Sequence, residues 1–403
     1  MSKITNIPNI LRTIIFYGVA FGSFRMLVGG VSVLYLIGKG LNLTDIGLLK
    51  SFQFGLMMII DLPLSYIADR YSRKLSTILG VLFGSLWLLT TAFSSEIWQF
   101  YVAETFNAIS LSLFNGAYIS YLIDTKNKLY KNIDNKTILS YENKYNSLGM
   151  ALCAFIGASF LKPTSNTIWI IAGVLLLIIC AGSFLQLPSD TQNDIHDRGK
   201  QKIINNTLSI KENVNHLLSI ITEKIEIFYG ILITSILLIY FQIILQLWQP
   251  IIKDFNPSDL GWLYGMFFSI VSMAQLLSSY IVDKNIKNKH TYIIVCIFIS
   301  LIIMLLSNIL FQQSIAGTLL IIISLFMMFF SIKFLMIEIS ARFHDIVPNN
   351  HRSFLDSMGF FISRTILLLI FPIITYLIQS VGFISLPFIL LVLIVIYINQ
   401  SSF

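Results

Sequence analysis

The feature that most constrains this chain is a series of apolar runs, each about 18 residues or longer, separated by shorter polar stretches. A run of that length crosses ~30 Å of hydrocarbon as a helix. Lipid offers backbone N–H and C=O groups no partners, so each run has to satisfy its own, which a helix does. Only 12% of the 403 residues are charged, about half the share of a soluble domain. Twelve spans are predicted: 11–37, 46–68, 75–93, 97–123, 138–161, 167–187, 228–250, 260–282, 291–311, 314–341, 353–379 and 383–398. The expected fold is an all-α integral membrane protein of twelve transmembrane helices in two six-helix bundles. The bundles take residues 1–188 and 228–403, with a cytoplasmic central loop at 189–227 between them.

The net charge of +7 does not indicate nucleic acid, because the basic residues crowd the short loops, where membrane topology accounts for them. With the N-terminus inside, 20 of the 27 Lys and Arg residues fall on cytoplasmic segments. That bias places both termini in the cytoplasm, and the chain in a bacterial inner membrane. Trp98, Trp169, Trp248 and Trp262 then mark outer span ends, as an aromatic belt does. In the central loop, Ile210, Val214, Leu217, Ile221 and Ile225 share one helical face, which predicts an amphipathic helix on the membrane surface. Cys153, Cys180 and Cys296 each sit inside an apolar run without metal-ligand spacing. There is no G-x-x-x-x-G-K-[ST] loop for ATP and no H-E-x-x-H pair, so no cofactor, metal or enzymatic activity is expected.

The two halves carry one repeat. Asp45-Ile-Gly47 recurs as Asp259-Leu-Gly261, and Ser65-Tyr-Ile-Ala-Asp69 as Ser279-Tyr-Ile-Val-Asp283, both at an offset of 214. Arg70 falls on Lys284, Arg73 on Lys287, Asp124 on Glu338 and Glu142 on Asp356 at the same offset. A gapless match of this kind implies two copies of equal orientation, related by an axis along the membrane normal.

The segment Ser65-Tyr-Ile-Ala-Asp69-Arg70-Tyr-Ser72-Arg73-Lys74 resembles the G-x-x-x-D-R-x-G-R-R signature of the major facilitator superfamily. Both of its glycine positions are serine here. The resemblance implies that Asp69 caps the start of span eleven near Ser353, and that Arg73 pairs with Asp124. Together with Arg70, Lys74, Asp283, Lys284 and Lys287 these would form a cytoplasmic latch that opens during transport. Topology alone is the alternative account of the basic members. The resemblance further implies that spans 1, 4, 7 and 10 line a central cavity and that the protein works as a monomer.

Ionisable residues at membrane depth cost about 2.5 kcal/mol or more, so they are candidates for function. Arg25, Asp61, Glu104, Lys333 and Arg364 are such residues. On span four, Glu104, Asn107, Asn115 and Tyr118 fall within about 80° of arc, and on span seven Gln242, Gln246 and Gln249 within about 60°. Arg25, Glu104, Asn107, Gln242, Gln246, Lys333 and Arg364 are the expected solute-binding set. Three deep cations against two acids point to a small anionic organic solute, such as a carboxylate or a metal chelate. Structural ion pairs Arg25–Glu104 and Arg364–Asp61 are the competing account. Glu104 and Asp61 are the expected carriers of a coupling proton. The expected function is proton-coupled secondary transport by alternating access. Multidrug or metabolite efflux by proton antiport is an alternative, although span five lacks the Gly-Pro pair common in drug exporters. A non-transporting receptor or a lipid translocator of the same fold is another.

Overall fold

A computed structural model describes residues 7–130, 132–160, 164–189, 225–256, 261–282, 288–346 and 352–401. The helices are α1 (Asn9–Met26), α2 (Ser32–Gly38), α3 (Leu43–Arg70), α4 (Arg73–Phe93), α5 (Ile97–Leu129), α6 (Asn135–Phe160) and α7 (Asn166–Gln186). They continue as α8 (Ile225–Phe255), α9 (Gly261–Val282), α10 (Lys289–Leu310), α11 (Ile315–Ile346), α12 (Arg352–Val381) and α13 (Ser385–Ser401). Every predicted span coincides with a helix, span one with the pair α1 and α2. Among the described residues, nine helices are long and apolar enough to cross a membrane. The three spans outside that group are the broken α1–α2, the polar α6 and the short α13. The amphipathic helix expected in the central loop lies outside the described residues, as do Asp283, Lys284 and Lys287.

The unbroken helix expected over 11–37 is corrected to two. The stretch Leu27-Val-Gly-Gly-Val31 replaces regular helix with tight i→i−3 bonds: Leu27 to Phe24 at 3.3 Å, Gly29 to Met26 at 3.0 Å and Val31 to Val28 at 3.0 Å. Two adjacent glycines, each about 1 kcal/mol worse than alanine in a helix, make this the weakest point of the span. The break frees the first N–H groups of α2, and the buried Gln249 side chain of α8 takes two of them. Its Oε1 accepts from Val33 at 2.9 Å and from Leu34 at 3.4 Å. The end expected for span seven at Pro250 is also corrected, since α8 runs through that proline to Phe255. Pro250 has no N–H, so the carbonyl of Gln246 loses its intrahelical donor.

The chain forms two compact units, one of Met1–Ser32 with Gly55–Thr207 and the other of Val33–Phe54 with Leu208–Phe403. The division therefore differs from a cut near residue 188, in that Val33–Phe54 clusters with the later helices. Within that second unit the Thr44 hydroxyl donates to Gln379 Oε1 at 2.7 Å, and the Ser51 hydroxyl to the Leu367 carbonyl at 3.5 Å. The start of α3 is fixed by a reciprocal pair: Asp45 N–H donates to Asn42 Oδ1 at 2.9 Å, and Asn42 N–H to Asp45 Oδ2 at 3.0 Å.

Helix packing carries the repeat. Numbered as spans, 1 packs on 4, 5 and 6 and 3 packs on 4 and 6 in the first unit; 7 packs on 10, 11 and 12 and 9 packs on 10 and 12 in the second. Five pairings thus recur six spans later, as two copies of one bundle require.

Without a hydrophobic force to drive helices together in lipid, close backbone approach through small residues supplies the packing. The glycines of α6 show this: a Cβ on Gly157 would collide with the Leu27 carbonyl, and one on Gly149 with the Ser23 hydroxyl. Gly157→Ala should cost about 1–3 kcal/mol and lower the unfolding midpoint of the detergent-solubilised protein by several degrees. Gly359→Ala, whose nearest neighbour would be Thr234 Cγ2 at 3.5 Å, should leave the midpoint unchanged or raise it.

Candidate functional site

The first unit holds the polar residues of spans one, four and five. Arg25 sits at the end of α1, 7% exposed, facing α4 and α5. Its Nη2 donates to Asn107 Oδ1 at 2.5 Å and its Nη1 to Ser110 Oγ at 3.3 Å. Asn107 Nδ2 in turn donates to Glu104 Oε2 at 2.8 Å. Glu104, 4% exposed, thus balances the guanidinium through one intervening amide. The guanidinium also lies over Trp87, 4.4 Å from the ring centroid, and over Phe21 at 5.1 Å. The stripe on α5 is therefore brought together with Arg25 as one buried network, built from residues about 80 positions apart.

Below this network lies a cavity of about 340 Å³ between α1, α5 and α6. Phe21, Phe114 and Tyr118 line it as a stack, with centroids 3.9 and 4.8 Å apart and planes within 23°. Arg25, Asn115, Glu142, Asn143 and Asn146 supply its polar lining. Sequence reasoning recognised Asn115 and Tyr118 on the polar stripe, but passed over Glu142 and Asn146 as binding groups. The available signal was their i, i+4 spacing on the least apolar of the spans.

Asp61, on α3, accepts a hydrogen bond from Ser112 of α5. In the second unit Arg364 is half-buried on α12. Lys333 is half-buried on α11 and makes no hydrogen bond or ion pair with the described residues. Gln242 and Gln246 on α8 are likewise half-buried without a partner among the described residues, whereas Gln249 of the same stripe is committed to α2.

The signature loop bonds within the first unit. Arg73 Nη1 donates to Asp124 Oδ2 at 2.7 Å, the pair the resemblance implies. Lys74 Nζ donates to the Leu187 carbonyl at 2.6 Å, closing the C-terminus of α7, and the exposed Arg70 reaches Tyr66 at 3.2 Å. The side chains of Asp69 and Ser353 lie outside the described residues. Both serines that replace the signature glycines have a local role. Ser72 caps α4, accepting from Leu75 N–H at 3.0 Å. Ser65 faces Gly116, where a Cβ would lie 2.6 Å from its hydroxyl, so the small residue of that crossing sits on α5.

At the repeat position of Asp124, Glu338 accepts from Arg342 at 2.8 Å and lies 2.9 Å from His290 Nδ1. His290 Nε2 is 3.3 Å from the Tyr397 hydroxyl. His290 is half-buried and ties α10, α11 and α13 together.

Comparison with known proteins agrees with this architecture. The family model described as Major Facilitator Superfamily matches residues 13–355. An MFS-type transporter of Bacillus subtilis, YxaM, is 23% identical over 266 residues, and the match spans 62% of each chain. The nucleoside transporter NupG superposes with a TM-score of 0.74 at 14% identity, covering 98% of this chain and 100% of its own. A peptide transporter, POT, in complex with alafosfalin gives 0.73 at 13% identity, covering 99% and 96%. A bacterial homologue of the lysosomal transporter Spinster gives 0.72 at 10% identity, covering 98% and 96%.

Removing one member of a buried charge network strands its partner. Arg25→Met should cost about 3 kcal/mol, read as a lowered unfolding midpoint. Adding Glu104→Leu should recover part of that loss, since the stranded carboxylate is then gone.

Proposed function

The chain belongs to the Major Facilitator Superfamily, and from that premise we propose that it is a secondary active transporter moving a small organic solute across a bacterial inner membrane by alternating access. The observation that carries the reading is a set of half-buried polar groups in a lipid-spanning bundle that have no partner among the described residues. Structural charges here are matched inside their own unit, as Arg25 is by Asn107 and Glu104 and Arg73 is by Asp124. Lys333 is not. An unmatched ammonium in hydrocarbon is costly unless a ligand visits it, and the natural visitor is an anionic group such as a carboxylate. Gln242 and Gln246 offer amide donors and acceptors in the same unit. Arg364 completes the proposed anion-binding set in the second unit, and Arg25 supplies the cation of the first.

The coupling proton is assigned to the deep carboxyls Glu104 and Asp61. A proton on Glu104 would remove the charge that Asn107 relays to Arg25 and so loosen the guanidinium. Protonation would then be felt directly where the solute binds. The signature charges Asp69, Arg70, Arg73 and Lys74, with their repeat partners, are proposed to act at the cytoplasmic gate. The chain is proposed to function as a monomer with both termini in the cytoplasm.

The test is uptake into proteoliposomes of the full-length protein, screening carboxylate-bearing metabolites under an imposed pH gradient. Saturable uptake that collapses with the gradient is expected. Lys333→Gln should lower kcat/KM for the transported solute at least roughly tenfold, as the loss of a desolvated charge pair does. Uptake that is unchanged in Lys333→Gln would remove the anion site. Uptake indifferent to the gradient would remove proton coupling.

A further inference from the structure

We infer that the cavity between α1, α5 and α6 is an ammonium subsite, built by Glu142, Asn146 and the Tyr118 hydroxyl, so that the transported solute also carries a protonated amine. The inference rests on the transport reading and gives it a substrate class, a solute with both an anionic and a cationic group.

Glu142 is 5% exposed, and no Lys, Arg or His pairs with it among the described residues. It faces the Tyr118 hydroxyl, which is itself 4% exposed and is the donor directed at the carboxylate. One helical turn along α6, the carbonyl oxygen of Asn146 is also buried and unpartnered. Three oxygens therefore converge on one cavity, where the Asn146 carbonyl lacks a donor and the Glu142 carboxylate lacks a cation among the described residues, while the Tyr118 oxygen can still accept. Arg25 lines the same cavity, but its guanidinium is bonded to Asn107 and Ser110.

A buried carboxylate without a cation is strongly disfavoured, so something positive has to reach Glu142. A bare proton supplies the charge, yet leaves the Asn146 carbonyl with no donor. A primary ammonium brings three N–H donors with its charge, one for each oxygen. The stack of Phe21, Phe114 and Tyr118 adds faces that attract a cation and hold the apolar body attached to it. At about 340 Å³ the space admits a solute of amino-acid size. Arg25 gives the cavity a positive end opposite in charge to Glu142.

The experiment is ligand binding by the full-length protein in detergent, followed by thermal unfolding and by calorimetry. The probes are 2-phenylethylamine, its uncharged isostere 2-phenylethanol, and phenylalanine. The amine should bind roughly tenfold more tightly than the alcohol, and phenylalanine more tightly than the amine. Glu142→Gln, which keeps the shape and removes the charge, should bring the amine-to-alcohol ratio to about one. Asn146→Leu should reduce that ratio several-fold, which tests the site if Glu142→Gln fails to fold. An amine preference that is missing from the unaltered protein, or that survives Glu142→Gln, overturns the inference. So does a Glu142→Gln protein that binds amine normally but has lost gradient-driven uptake, because Glu142 would then carry only a proton. Amine selectivity without any uptake supports the subsite and sinks the transport reading instead.

Discussion

The buried guanidinium of Arg25 dictates what the helices around it must carry. Hydrocarbon supplies neither water nor counter-ions, so the charge has to be met by protein groups brought from elsewhere in the chain. Span four answers with Asn107, Ser110 and Glu104 on one face, and span three with the Trp87 ring. Three spans are thereby fixed against one another by a single side chain. The cavity beneath exists because this network sets the position of α1 while the glycines of α6 draw that helix close.

The same logic orders the ends of the bundles that carry the signature charges. Asp124 and Glu338 are equivalent by the repeat, and each meets a basic side chain within its own unit. The cations are not equivalent: Arg73 meets Asp124 from the first turn of α4, while Glu338 takes Arg342 from its own helix and His290 from α10. Duplication conserved the need for a matched acid at that depth and left the source of the match free.

Much of the fold was legible from residue order. Span positions follow from run length against bilayer thickness, and the stripe on span four follows from helical periodicity, because both are local properties. The break at Gly29-Gly30 was also written locally, but hydropathy averages over it. Gln249 was read as one of three stripe residues. Only its meeting with Val33, 216 positions away, separates a capping amide from Gln242 and Gln246, which have no partner among the described residues. Ser65 and Ser72 looked like losses from a glycine signature. Ser72 turned out to cap a helix, and the small residue at the other crossing sits at Gly116, a swap that no single-helix pattern records. Glu142 was missed as a site because it lies near a span end among charged neighbours, where a carboxylate usually faces water.

What separates structural from functional charge in this bundle is therefore completeness. A charge that stabilises the fold has its partner in the same unit at every moment, and moving it would cost several kcal/mol. A transporter cannot use such a charge to bind a solute without first paying to break it free. The groups able to respond to a solute are those the fold leaves unfinished. On that criterion the groups proposed to meet a solute are Lys333, Gln242 and Gln246 within the second unit and, separately, Glu142, Tyr118 and Asn146 within the first. Arg25 stands between the two classes, since its network occupies two of five donors and still leaves it on the cavity wall.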